Sequence, residues 1–222
     1  MEAFPIEKGV ITANQDQHMN VPGNPLRAED LVTKVARYAR GLFHQYENES
    51  LAYHNLKHTR KVLQRAIQIG ASCGLDEQQW LVLRCAAWFH DCGHLFGRAQ
   101  EHEQRSIMIM RSFLEQLGTA EQLIAMIGDC IQATKIPATP KNLVEEILCD
   151  ADTYHFGTNE FFAINELVKK ESETRDHCIY RNWNEHTLHF LEAHTFFTNY
   201  AKAVLANKKS ANIAAMRKLT GQ

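Results

Sequence analysis

Residues 85–94 read Cys85-Ala86-Ala87-Trp88-Phe89-His90-Asp91-Cys92-Gly93-His94. The first five are apolar nearly all round, the mark of a helix buried on every face rather than on one stripe. The pattern opens upstream at Asp76, a candidate N-cap, and carries Trp80, Leu83, Ala87 and Trp88 at helical spacing. Gly93 supplies the stop. The reading is therefore a central helix whose last residues are an imidazole and a carboxylate. Neighbours on a regular helix face different ways, but at a helix C-terminus both side chains can turn toward one point.

Helical periodicity continues on both sides. Leu31, Val32, Val35, Ala39, Leu42, Phe43 and Tyr46 form one stripe after Pro25, and Asn55 through Val62, Leu63, Ala66 and Ile67 form another that stops near Gly70 to Gly74. Leu95 to Arg98 reads as a loop. Ile107, Met110, Phe113, Leu114 and Leu117 give a helix closed by Gly118, and Thr119 caps the next, through Leu123, Ile127 and Ile131. Ile136 to Pro140 is an extended connection, because each proline disfavours helix for the residue before it. Helices over Leu143 to about Ala151, Phe161 to Lys170 and Trp183 to roughly Ala206, with a short piece at Ile213 to Leu219, complete the set. No alternating strand pattern and no repeat is present. The expectation is an all-α fold: a flexible N-terminal tail over 1–25, then a single compact helical bundle over 26–222.

Composition narrows the function. At 222 residues, 45% hydrophobic and 23% charged, the chain is an ordinary globular protein able to bury a full core. A net charge of -2 excludes an extended nucleic-acid-coating surface but not a single nucleotide. No apolar run is long enough for a membrane span, and the N-terminus lacks a signal pattern, which gives a cytoplasmic expectation with oligomerisation left open. The cysteines Cys73, Cys85, Cys92, Cys130, Cys149 and Cys178 form no CxxC pair and read as reduced thiols, several of them inside apolar helical patterns. Cys92, between Asp91 and Gly93, has the alternative of a thiolate ligand or nucleophile.

The chemistry-bearing residues are His58, His90, Asp91 and Asp152, each where a helical pattern begins or ends. Two imidazoles and two carboxylates are the mixed N/O donor set of a hydrolytic transition-metal site. For any single histidine a core or surface role is the default, and it is held for His18, His44, His177, His186, His189 and His194. Asp150 competes with Asp152 as ligand, with a supporting or capping role as its alternative. Trp183, Phe190, His194 and Thr198 read as a helix-packing stripe, with the far wall of a pocket as the alternative. Tyr53 either orients His54 or packs.

The order His58…His90-Asp91…Asp152, flanked by Tyr53-His54-Asn55 and by Gly93-His94, resembles the HD superfamily of metal-dependent phosphohydrolases. The match runs over about Leu51 to Thr158 and more loosely to Leu219. The resemblance implies an HD-type helical domain with a divalent ion (Mn, Mg, Fe, Zn, Co or Ni) on His58, His90, Asp91 and Asp152. The Tyr-His-Asn flank and the His-Asp-x-x-His run are similar to those of cyclic nucleotide phosphodiesterases. By that similarity His54 is the proton donor to the leaving oxygen and His94 an accessory group near a second metal position. Asp150-Ala151-Asp152, Glu103-x-x-Ser106 and Lys209-x-x-Asn212 are similar to runs in small bacterial HD proteins. Members with a protein-built second iron site have two further, well-separated histidines. Here His94 and His102 are only eight apart, so a second ion would rest on Asp91 and water.

The implied reaction is hydrolysis of a phosphomonoester or phosphodiester of a nucleotide or similar small molecule. The ion would bring the pKa of a water from ~15.7 toward ~7, and an imidazole, which ordinarily titrates near ~6.5, would protonate the departing alkoxide. Lys135, Lys209 and Arg98, with Lys57 and Arg105, are the cations available for phosphate. The competing readings are a non-catalytic, metal-stabilised nucleotide-binding or sensor module and, less favoured, a di-iron oxygenase.

Overall fold

Helix α3, Glu77–Phe89, carries the core. Val82, Leu83, Cys85, Ala86, Ala87 and Phe89 are each at most 2% exposed, so the C-terminal part of the helix, over 85–89, is buried on every face, as its all-round apolar sequence requires. Packed on it are α1 (Ala28–Tyr46), α2 (Leu56–Gly70), α5 (Glu121–Ala133) and α6 (Leu143–Asp152), with α4 (His102–Gln116) completing the shell. A capping box starts α3: the Asp76 carboxylate accepts from Gln79 N (2.8 Å) while Asp76 N donates to the Gln79 side chain (3.0 Å). The remaining helices are α7 (Phe161–Asp176), α8 (Trp183–Ala193) and α9 (Asn199–Thr220), and 3-10 turns cover Cys92–Phe96 and Tyr154–Gly157.

This computed structural model describes residues 28–177 and 179–221, and the expected tail over 1–25, His18 and Cys178 lie outside them. Among the described residues there is no strand, and the all-α expectation holds. No helix among them is long and apolar enough to cross a membrane. The described cysteines are unpaired thiols, and burial pushes the Cys85 thiol up to about 12.

Three element boundaries differ from the expectation of the sequence. Leu95 and Phe96 belong to the 3-10 turn Cys92–Phe96 rather than to a loop. Thr119 does not cap α5, whose N-cap is Ala120 without a side-chain bond. The Thr119 amide is instead spent on Leu114 O (3.1 Å), closing α4 around Gly118, whose φ of +67° is easy only for glycine. Helix α7 continues past Lys170 to Asp176.

The long C-terminal pattern breaks between Ala193 and Asn199, and the piece at Ile213–Leu219 is continuous with α9. Asp150 makes the break: its carboxylate accepts from Phe197 N (2.9 Å), Thr198 N (2.8 Å) and Thr198 Oγ1 (2.7 Å). Thr198 then caps α9 by accepting from Ala201 N. The Lys209-x-x-Asn212 run also has a structural role. Asn212 Nδ2 donates to Phe156 O (2.9 Å) and Thr158 O (3.0 Å), and Lys209 Nζ donates to His194 O, so α9 clamps the turn that follows Asp152.

Candidate metal centre

Helix ends deliver the four expected residues to one place. Asn55 caps α2 by accepting from Lys57 N (3.0 Å) and His58 N (3.2 Å), which fixes His58 in the first turn. His90 and Asp91 follow the last turn of α3, and Asp152 closes α6. His58 Nε2 lies 3.0 Å from Asp91 Oδ2 and 3.1 Å from Asp152 Oδ1, and His90 Nε2 lies 3.2 Å from Asp91 Oδ2, 3.7 Å from Asp152 Oδ1 and 3.4 Å from His58 Nε2. Asp150 is absent from this cluster, being committed to the α8–α9 connection.

The donor set fits a divalent cation on two counts. Donors held ~2.1 Å from one ion at tetrahedral or octahedral angles stand ~3.0–3.4 Å apart, close to the spacing found here. Asp91 Oδ2 is buried without a hydrogen-bond partner, a costly state for a carboxylate oxygen unless a cation faces it. The His90 ring donates Nδ1–H to Ala87 O (2.9 Å), which leaves the Nε2 lone pair free toward the cluster. Burial alone would push His58 and His90 below the ordinary imidazole value. The Asp91 and Asp152 carboxylates outweigh it and hold both above, while Asp91 and Asp152 themselves are held below the ordinary carboxylate range. Protons and a cation therefore compete for the same point.

On the other side of Asp91 three imidazoles stack. His54 and His94 rings lie 4.0 Å apart at 11°, and His94 and His102 rings 3.9 Å apart at 27°. His54 is positioned by Glu171, whose Oε1 accepts from His54 Nδ1 (2.7 Å) and whose Oε2 accepts from the backbone N of Tyr53 (2.8 Å) and His54 (2.9 Å). Burial would raise the Glu171 carboxyl, but the bond and charge of His54, with the backbone amides of His54 and Tyr53, together outweigh it and hold the group at about 2. Tyr53 packs on both flanking rings, 4.9 Å from His54 and 4.4 Å from His58.

Arg175 fixes the middle ring. Its Nη1 donates to Glu171 Oε1 (3.1 Å) and to His94 Nδ1 (2.8 Å). Because a guanidinium only donates, His94 Nδ1 is the acceptor and the proton sits on Nε2, an atom that is buried without a partner. Burial, then the His54 ring, pushes His94 well below the ordinary imidazole value, so the ring stays neutral. His102 is anchored the other way round: its Nδ1–H donates to Ala99 O (2.9 Å), and its Nε2 lies 3.5 Å from Asp91 Oδ1.

The expectation that a second ion would meet only Asp91 and water is therefore corrected. The chain folds back so that His102 reaches Asp91, and Asp91, His94 and His102 lie close together as a second group, in which Asp91 and His102 are the two able to face a cation. The fold-back depends on Gly93, where a Cβ would stand 2.0 Å from the His102 carbonyl oxygen. Ser106 ties the same turn by accepting from Gly93 N (2.8 Å) and donating to His90 O (2.7 Å). With its proton on Nε2, His94 faces the Asp91 side as a donor, and His102 Nε2 is the imidazole nitrogen of this group open to an ion.

Other expected residues fall elsewhere. Lys209 is spent on His194 O, and Arg105 donates to the backbone of Gly93, Gln100 and Arg98. Arg98 and Lys135 are exposed and line neither of the two cavities beside the cluster. The larger cavity, about 470 Å³, includes Lys57, Lys61, Arg65, His58 and Asp152. The smaller, about 290 Å³, includes His54, Asp152, Trp183 and Phe190, so these two aromatic residues form a pocket wall rather than a packing stripe alone. His194 and Thr198 do not line it. Cys92 Sγ points back to Trp88 O (3.4 Å), away from the cluster. Glu171 and Arg175 are absent from the sequence reading. Their only signal is acidic and basic residues four apart beyond Lys170.

Residues 55–157 match the HD domain family. The fold is similar to three crystal structures. They are a predicted HD superfamily hydrolase from an uncultured Thermotogales bacterium (TM-score 0.56, 18% identity, 85% of this chain and 91% of that one), a Listeria innocua protein (0.58, 16%, 88% and 96%) and a Lactobacillus plantarum protein (0.62, 15%, 86% and 95%). No curated protein matches the chain.

Proposed function

We propose that this chain, which belongs to the HD superfamily, hydrolyses a phosphomonoester or phosphodiester of a nucleotide or similar small molecule in a metal-dependent reaction. One observation carries the reading: four donor atoms from three helix ends converge, and Asp91 Oδ2 among them is buried and unbonded. A divalent ion held by His58, His90, Asp91 and Asp152 would supply Lewis acidity and acidify a water.

The chain's own residues divide the remaining work. His94 Nε2–H is a fixed, neutral donor aimed at the Asp91 side, suited to an anionic phosphoryl oxygen. His54 has its Nδ1–H anchored on Glu171, which leaves Nε2 as the position that passes a proton to the departing alkoxide. Glu171 and Arg175 act as positioning residues, holding His54 and His94 in their stacked orientation. The partner is a small phosphorylated molecule.

The test uses the purified protein with Mn²⁺, Co²⁺ or Mg²⁺ and p-nitrophenyl phosphate or bis-p-nitrophenyl phosphate. Hydrolysis is expected, and Asp91→Ala should abolish it with an unchanged helical spectrum. Full activity in that variant contradicts the reading. Tight nucleotide binding with no turnover under any of the metals transfers the site to the sensor class.

A further inference from the structure

We infer that the smaller cavity is a base-binding subsite in which Asn165 reads a hydrogen-bond acceptor on an uncharged heteroaromatic ring. This rests on the phosphoester reading and deepens it, giving the organic part of the substrate as a nucleoside. The cavity adjoins the cluster through Asp152 and the proton-transfer ring through His54. Its walls include Tyr53, Phe156, Phe161, Trp183 and Phe190, and its volume, about 290 Å³, sits at the lower end for small-molecule sites. It therefore suits a single ring system with its sugar better than a dinucleotide.

The lining also says what the occupant is not. No lysine or arginine is among the lining residues, and Asp152 is the only carboxylate. Away from His54, at the edge nearest the cluster, a phosphate or another anion meets no lysine or arginine, whereas the aromatic walls suit a flat, neutral ring. A free sugar would need several polar partners, and the walls are mostly apolar.

Asn165 supplies the specificity. It is 7% exposed, on α7, and its Oδ1 accepts from Trp183 Nε1 (2.9 Å) and Thr187 Oγ1 (3.1 Å). An indole nitrogen only donates, so the atom facing Trp183 must be the amide oxygen, and the side chain cannot flip. Both oxygen lone pairs are then used. Among the described residues nothing accepts from Nδ2, which becomes the polar atom that Asn165 offers to the cavity. The amide therefore acts only as a donor. It pairs with a keto oxygen or ring nitrogen, the acceptors that bases display and a plain phenyl ring lacks.

The test is calorimetric titration of the full chain in chelator with uridine, guanosine, cytidine and adenosine, and with a phenyl riboside of similar shape but no ring acceptor. Neither metal nor turnover is needed, so failure here leaves the p-nitrophenyl ester result standing, and the reverse. At least one nucleoside should bind roughly tenfold tighter than the phenyl riboside, the value of one neutral hydrogen bond. Asn165→Asp, which keeps an oxygen for Trp183 and Thr187 but removes the donor, should erase that difference. Val168→Phe, which places a large ring among the lining residues, should abolish binding. If the four nucleosides fail to bind, or bind no better than the phenyl riboside, the inference is overturned. It is equally overturned if Val168→Phe or a folded Asn165→Asp behaves as wild type.

Discussion

Around Asp91 Oδ2 the Nε2 atoms of His58 and His90 crowd to 3.0 and 3.2 Å, Asp152 Oδ1 stands 3.1 and 3.7 Å from the same two nitrogens, and the Asp91 oxygen itself has no hydrogen bond. Around Asp91 Oδ1 the rings of His94 and His102 stand further off, at 3.9 and 3.5 Å, each with its other nitrogen tied to a named partner. The first group gathers lone pairs at one point and depends on a cation to relieve them. The second is held by hydrogen bonds through Glu171, Arg175 and Ala99, which decide where each proton sits. A single carboxylate thus joins a centre that binds charge to a set of rings that donates or relays protons.

Breaking the first group should have the largest effect. Replacement of Asp152 by Ala is expected to lower metal content measured by elemental analysis and to cut phosphoesterase activity by about a thousandfold or more, comparable to losing a main electrostatic contributor. Retained metal and activity would break the distinction drawn between the two groups.

The second group should respond differently. In Glu171→Gln, metal content stays at the wild-type level while kcat falls about 100-fold, the ordinary range for a misdirected general acid. The alkaline limb of the kcat profile, set by the group that must carry a proton, should also move. An unchanged profile together with an unchanged kcat would reduce Glu171 to packing.

Gly93→Ala sharpens the junction between the groups. A Cβ there meets the His102 carbonyl oxygen at 2.0 Å, so the turn and the start of α4 must separate. A stability loss of about 1–3 kcal/mol is expected in urea unfolding. His102 should be displaced more than His58, which NMR of the imidazoles would read.

The mildest effect concerns a ring outside both groups. Burial holds His194 down at about 3, so its neutral form contributes stability that is complete above an ordinary histidine's pKa near ~6.5 and is lost as pH falls below it. Unfolding of the wild type between pH 6.5 and 4 should therefore take up about one more proton than unfolding of His194→Gln. Equal slopes would contradict the assignment.

These two groups were unequally legible in the amino-acid sequence. His58, His90, Asp91 and Asp152 stand at helix boundaries, and periodicity locates boundaries, so their convergence could be anticipated. The same holds for α3, whose all-round apolar pattern marks it as central. Glu171 and Arg175 were hidden because the apolar stripe of α7 fades at Lys170, and an acid–base pair four apart usually marks a solvated face. The place of His102 beside Asp91 is not legible, because a spacing of eight residues carries no record of the fold-back at Gly93. The break between α8 and α9 leaves no mark in the local pattern for a related reason. It is imposed by Asp150, 47 positions away from Phe197 in the chain, and local propensity contains nothing of that contact.

A crystal structure of the Mn²⁺-loaded protein, read by anomalous scattering, tests the central claim most directly. One peak should lie ~2.0–2.3 Å from His58 Nε2, His90 Nε2, Asp91 Oδ2 and Asp152 Oδ1 together. Manganese found on other residues, or no peak among these four at saturating Mn²⁺, would contradict the account.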